Sequence, residues 1–225
     1  SNILYVGFTN GGIWKTVNAQ DVSPDWVALT DDLGSLSIGD LEFDPTDETG
    51  NTLVAGVGRF SSLGRIGGPL VGLLRTTNGG ANWSVIDGGG SLTYKNVTAA
   101  VARGNTIVAG VNVAEPFTYP NIGIYRSTDG GSTFANLAYV SGSGLPAGRA
   151  FDLKGDPNNA NVLYAGIRDA GSNNGIYKST DTGATWARVS NAAMNSLSSD
   201  STLSNIHIHV GKTGTIAVAL VNNGS

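Results

Sequence analysis

Gly175-Ile-Tyr-Lys-Ser-Thr-Asp-Thr-Gly-Ala-Thr-Trp186 decides the fold, because the chain carries the same stretch again at fixed distances. It superposes without gaps on Gly123-Ile-Tyr-Arg-Ser-Thr-Asp-Gly-Gly-Ser-Thr-Phe134 and on Gly72-Leu-Leu-Arg-Thr-Thr-Asn-Gly-Gly-Ala-Asn-Trp83. A degenerate fourth copy is Gly12-Ile-Trp-Lys-Thr-Val-Asn18, with Trp26 as its closing aromatic after an insertion containing Pro24. The copies lie about 51–52 residues apart, a period that belongs to propeller-type repeats.

Working outward, a second element precedes each copy: Asn51-Thr-Leu-Val-Ala-Gly-Val57, Asn105-Thr-Ile-Val-Ala-Gly-Val111 and Asn161-Val-Leu-Tyr-Ala-Gly-Ile167. Asn2-Ile-Leu-Tyr-Val-Gly-Phe8 and Gly214-Thr-Ile-Ala-Val-Ala-Leu220 repeat it near the two ends. A third element comes before that one, at Ile38 to Phe43, Val97 to Ala102, Ala150 to Lys154 and Asn205 to Val210. Two of these run into Asp-Pro turns, Asp44-Pro45 and Asp156-Pro157. A fourth element follows each closing aromatic: Trp83 to Ile86, Phe134 to Tyr139 and Trp186 to Val189. Four short β-rich runs per repeat, punctuated by Gly, Asn and Asp, predict an all-β β-propeller built of four-stranded antiparallel blades. The one helix candidate is Asn191 to Ser198.

Composition agrees. Of 225 residues 33 are Gly, about twice the usual share. Only three of the 17 acids are glutamate, and aspartate favours turns where glutamate favours helices. The absence of cysteine excludes a disulfide scaffold, cysteine catalysis and thiolate metal sites. A net charge of −4 without a basic block argues against a nucleic-acid partner. No apolar run reaches the length of roughly 18 residues that a membrane-spanning helix needs.

The repeated Ser-x-Asp-x-Gly-x-Thr-Trp turn resembles the Asp-box, or BNR repeat, of sialidases, xyloglucanase-type glycoside hydrolases, sortilin-like propellers and bacterial cell-surface propellers. Asp129 and Asp181 keep its aspartate and Asn78 replaces it; Trp83, Phe134 and Trp186 supply the aromatic. The physical role is local. The side chain caps the amides of its own turn, glycine takes the left-handed conformation, and the ring packs over the hairpin. A residue repeated in every blade cannot mark one unique site, so these positions read as structural. The cation ahead of each turn (Lys15, Arg75, Arg126, Lys178) recurs in the same way and reads as scaffold.

Blades are expected at approximately 2–31 (partial), 37–87, 95–140, 149–190 and 204–225 (partial), within one propeller domain or fragment over 1–225. The first lacks an inner strand and the last stops after two, so the sequence predicts an incomplete ring. An open blade leaves a strand edge unpaired, an aggregation hazard. The expected partners therefore include the rest of a longer chain of about six to eight blades, in the usual range for propellers.

Propeller geometry puts the connections between strands 2 and 3, and between blades, on one face. Those loops are long: 58–69, 88–94, 112–121, 141–148, 169–174 and 191–204. Long non-repeating loops on a rigid scaffold are where function concentrates. They supply the ligand-binding candidates Arg59, Arg65, Tyr94, Phe117, Tyr119, Arg149 and Arg168, beside Phe60. Rings and arginines suit a polysaccharide or a cell-surface protein. Asp40 aligns with Asp152, each four residues ahead of an Asp-Pro turn; Thr98 and His207 take about the same place in the other blades. Two carboxylates roughly 5–10 Å apart could act as acid and base on a glycosidic bond, so Asp40 and Asp152 are the catalytic candidates, expected in one cleft on the long-loop face. His207 and His209 share a strand face but show no third ligand, so no metal site is expected, and no cofactor motif is present. The expectation is an extracellular or cell-surface propeller module for glycan or protein interaction, without catalysis. The alternative is a glycoside hydrolase of the xyloglucanase or sialidase type. Extracellular placement is what the resemblance implies.

Overall fold

The computed structural model describes residues 2–59, 67–114, 121–198 and 203–222, and the structure discussed below is that of these residues. Five antiparallel sheets follow one another along the chain. The first holds β1 (Leu4–Phe8), β2 (Gly12–Thr16) and β3 (Val27–Ala28). Three four-stranded sheets follow, each laid out in chain order. They are β4 (Ile38–Phe43), β5 (Leu53–Val57), β6 (Leu73–Thr76) and β7 (Ser84–Ile86); β8 (Lys95–Arg103), β9 (Thr106–Ala114), β10 (Gly123–Ser127) and β11 (Ala135–Asn136); and β12 (Arg149–Gly155), β13 (Leu163–Arg168), β14 (Gly175–Ser179) and β15 (Ala187–Arg188). The last sheet pairs β16 (Leu203–Val210) with β17 (Ile216–Asn222), and the short helix α1 (Ala192–Ser198) lies in the connection before it. This is a β-propeller architecture, with each sheet a blade and β4, β8, β12 and β16 as inner strands.

Two runs differ from the sequence-based expectation. The run from Phe134 to Tyr139 is not one strand: β11 ends at Asn136, whose side chain accepts from the Ala138 amide at 3.1 Å and caps a 3-10 turn over Leu137–Tyr139. Thr98 does not share the place of Asp40 and Asp152. The same β-bulge recurs between Ile38 and Asp40, Val97 and Ala99, and Ala150 and Asp152, so Ala99 faces Gly110 as Asp40 faces Gly56 and Asp152 faces Gly166, and Thr98 is the bulged residue.

Adjacent blades lock through the second strand. A Cβ on Gly7 would lie 2.5 Å from Ile38 Cγ2, and one on Gly166 2.8 Å from Ile206 Cγ2. Gly56 under Val97 and Gly110 under Ala150 repeat the arrangement at 3.0 and 3.3 Å. A methyl group at these positions would push neighbouring blades apart. Buried aliphatics fill the interfaces; Val101, Val108, Ile124, Leu153, Leu163 and Trp186 share one cluster spanning the third and fourth blades.

Polar bonds reinforce the same joints. The recurring cation of strand 3 donates to the turn of the following blade: Lys15 Nζ to Gly79 O at 2.8 Å and Arg126 Nε to Thr182 O at 3.0 Å. Within the turns, Asp129 accepts from Ser127 Oγ at 2.7 Å, the Thr133 amide at 3.0 Å and Thr133 Oγ1 at 2.6 Å. Asp181 accepts from Ser179 Oγ, the Thr185 amide and Thr185 Oγ1 at 2.7, 2.9 and 2.6 Å. Asn78 accepts only from Thr76 Oγ1 and the Asn82 amide, at 2.9 and 3.0 Å. Trp186 is buried and donates its indole N–H to Gly183 O at 3.0 Å, whereas the half-buried Trp83 leaves its indole nitrogen without a partner. Phe134 packs against the core cluster of the second and third blades.

Candidate functional site

Asp40 and Asp152 come together around Lys154. Lys154 Nζ donates to Asp40 Oδ1 at 2.8 Å and lies 3.8 Å from Asp152 Oδ1. These two distances cap the separation of the oxygens at about 6.6 Å. The lysine reaches from the fourth blade to the second, across 114 positions of sequence. Each aspartate also bonds forward to the next blade: Asp40 Oδ2 accepts from the Ala100 amide at 3.1 Å, and Asp152 Oδ2 from the Ile208 amide at 2.7 Å. Asp152 Oδ1 takes the Leu153 amide as well, at 2.8 Å. Burial pushes the Asp152 carboxyl up, opposed by Lys154 and its backbone donors.

The environment of the pair differs from the cleft expected on the long-loop face. Both side chains are largely buried, 13% and 8% exposed, and their oxygens are engaged by protein donors. The cavity nearest to them, about 390 Å³, opens at the opposite end of the inner strands, where the Asp-Pro turns lie; Glu42 and Lys154 line it, and Asp40 and Asp152 do not. The axial rise of about 3.3 Å per residue accounts for this, since positions two residues further along each inner strand stand nearer that end.

Arg103 is the site residue with least warning in the sequence, whereas Glu42 and Lys154 stand two residues beyond Asp40 and Asp152 on the same strand faces, where pairing with neighbours is the expectation. Glu42 follows Asp40 on the same face of β4, and burial pushes its carboxyl up to about 7 against the lowering effect of Arg103. Its Oε1 stands 3.7 Å from Arg103 Nη2, while Oε2 is buried without a hydrogen-bond partner. Arg103, 4% exposed at the end of β8, donates from Nε to Ala160 O at 3.0 Å and from Nη1 to Ala102 O at 2.6 Å. One arginine at a hairpin carries no local signature of this role.

On the long-loop face, Arg149 and Arg168 are cross-strand partners and converge on Asp169. Arg149 Nε lies 2.7 Å from Asp169 Oδ2, and Arg168 Nε 3.9 Å from Asp169 Oδ1. The Arg168 guanidinium also stands 5.9 Å from the Phe151 ring centroid. Arg59 donates its backbone N–H to Asn96 Oδ1 and its Nε to Gly68 O at 2.9 Å. Tyr94, two residues before Asn96, is 63% exposed and holds φ of 60°. A tyrosine in the left-handed region is uncommon and costs backbone energy. Thus Arg59 meets the Tyr94 segment, and Arg149 meets Arg168. Arg65, Phe117 and Tyr119 lie outside the described residues, as does Phe60. His207 shares a 2.8 Å contact with Asn205, and among the described residues no three His, Asp or Glu side chains gather as a metal site. Among the same residues no helix is long and apolar enough to cross a membrane.

This architecture has known counterparts. Among curated proteins the chain is similar to a xyloglucanase of Hypocrea jecorina (strain QM6a), 44% identical over 73 residues, which is 31% of this chain and 8% of that protein. It is also similar to the xyloglucanase Xgh74A of Acetivibrio thermocellus, 41% identical over 88 residues, 37% of this chain and 10% of that protein. The matched stretches therefore span a tenth or less of those relatives. No family model matches. Among solved structures, an ancestral GH74 enzyme superposes with a TM-score of 0.61 at 19% identity, over 100% of this chain and 26% of that one. The GH74 xyloglucanase from Xanthomonas campestris does so with a TM-score of 0.59 at 18% identity, over 97% and 32%. The fold shared with these structures is the β-propeller.

Proposed function

We propose that this chain is a blade set of a glycoside hydrolase-type propeller directed at a xyloglucan-like polysaccharide outside the cell. The observation that carries the reading is the 41–44% identity to xyloglucanases over 73–88 residues. The long-loop face suits such a substrate. Tyr94 offers an exposed ring on which a sugar's C–H face can stack, and Arg149 and Arg168 provide donors held in place by Asp169. In this reading the blades hold the polysaccharide.

A second reading, interaction without catalysis, draws support from the state of Asp40 and Asp152. A glycosidase needs one carboxyl that keeps its proton and one that is free to act as base or nucleophile, both touching the sugar. Asp40 is tied to a lysine and Asp152 to two backbone amides, so this pair suits joining blades better than attacking a substrate.

Affinity electrophoresis in gels containing xyloglucan, alongside a reducing-sugar assay on the same polymer, tests both readings. Retardation that Tyr94→Ala weakens supports the polysaccharide reading. Sugar release that Asp40→Asn with Asp152→Asn abolishes would return catalysis to this pair. Absence of both retardation and release would overturn the polysaccharide reading.

A further inference from the structure

The cavity at the Asp-Pro end of the inner strands has the chemistry of a binding site, and nothing in the polysaccharide reading uses it. Its volume, about 390 Å³, falls in the range of small-molecule sites, roughly 300–1,000 Å³. One part of its wall is apolar: Phe43, Pro45, Pro157 and Val210. Phe43 is 45% exposed, and its ring meets Tyr5 edge-on at 5.5 Å, which fixes its orientation. The other part is polar, with Glu42, Arg103, Lys154, Asp156 and His209.

The charges in that wall come as opposed pairs. Lys154 is matched by Asp40 and Arg103 by Glu42. An anionic ligand would face Glu42 and Asp156; a cationic one would face Arg103 and Lys154. Metal binding lacks a cluster of three ligating groups among the described residues. What fits is a neutral molecule with many hydroxyl groups and one apolar face. Hydroxyls can accept from the Arg103 Nη2 side and donate to a carboxyl, while C–H groups lie against Phe43 and the prolines.

We infer that this cavity is a second saccharide site, which takes a neutral monosaccharide or the end of a neutral oligosaccharide at the Asp-Pro end of the inner strands, opposite the long loops. The Glu42 carboxyl, pushed up to about 7 by burial, supports this, because near neutral pH it serves as either donor or acceptor to a hydroxyl. The inference stands on the cavity alone and does not depend on polysaccharide binding at Tyr94.

Saturation-transfer NMR on the full chain, with glucose, xylose and galactose as probes, tests it. Saturation of ring protons for at least one of the three is expected. Glu42→Ala and Phe43→Ala should each weaken that binding at least tenfold, with far-UV circular dichroism and melting curves establishing that the variants are folded. Phe43 is half exposed, so its variant keeps the test open if Glu42→Ala fails to fold. Tyr94→Ala, on the opposite face, should leave sugar binding here unchanged, which separates this site from xyloglucan retention. The inference is overturned if none of the three sugars binds. It is equally overturned if both cavity variants bind as the parent does, or if glucuronate or glucosamine binds more tightly than glucose.

Discussion

The guanidinium of Arg103 occupies the space that any side chain at position 155 would need. A Cβ built on Gly155 would overlap Arg103 Nη2 and come within 3.1 Å of Glu42 Oε1. Gly155 thereby lets a buried arginine from the third blade lie across the fourth, bonding Ala160 O while facing Glu42 of the second. Three blades are joined through one side chain.

The first prediction follows. Gly155→Ala should destabilise the protein by about 1–3 kcal/mol, as overpacking of a filled site does. The paired change Gly155→Ala with Arg103→Ala should cost less than the sum of its parts, since the clash is gone. Urea denaturation of the four proteins in the cycle measures the coupling.

Glu42 makes stability depend on pH. Its carboxyl moves from 4.5 to about 7 on folding, so the folded state holds the proton more tightly. The resulting stabilisation is complete below about 4.5 and is lost as the pH rises through about 7. The loss should be on the order of 2 kcal/mol, allowing for the partly open side chain. Glu42→Gln should flatten the profile between pH 5 and 8, as read from chemical denaturation midpoints across that window. An unchanged slope in the variant would assign the dependence elsewhere.

Removing the bridging cation should expose the repulsion it balances. Lys154→Met leaves Asp40 and Asp152, no more than about 6.6 Å apart, without their shared partner. A loss of about 2–3 kcal/mol at pH 7 is expected, somewhat below the cost of breaking a fully buried pair. Adding Asp40→Asn to Lys154→Met should recover part of it. Thermal melts of the single and double variants decide the matter.

The turns offer a cleaner comparison. Asp181→Ala removes the acceptor for Ser179 Oγ, the Thr185 amide and Thr185 Oγ1, and should cost about 0.5–2 kcal/mol, like the loss of a helix cap. Asp181→Asn should be close to neutral, because Asn78 already fills the equivalent place with two of the same bonds. Melting temperatures of the two variants should separate accordingly, with binding of any ligand unaffected by either.

Much of this fold was legible in the chain. The four-run repeat, the turn between strands 3 and 4 and the helix candidate Asn191 to Ser198 follow from local chemistry: alternating apolar residues, Gly at left-handed positions, Asp or Asn accepting from its own turn. Such interactions span a few residues, so their pattern survives in one dimension. The cation of strand 3 could be read as scaffold because it recurs, although its acceptors, Gly79 O and Thr182 O in the following blades, could not.

The tertiary structure decided what the inner strands do with their charges. Equivalent bulges in β4, β8 and β12 put Asp40, Ala99 and Asp152 in one column and leave Thr98 at the bulge itself. Lys154 meets Asp40 across 114 positions of sequence, and Arg103 reaches over Gly155 only because that residue has no side chain. These contacts depend on how three blades are rotated against one another. Strand periodicity specifies which face a residue occupies, whereas the blade-to-blade rotation is set by the glycine-and-aliphatic joints that pack the sheets together.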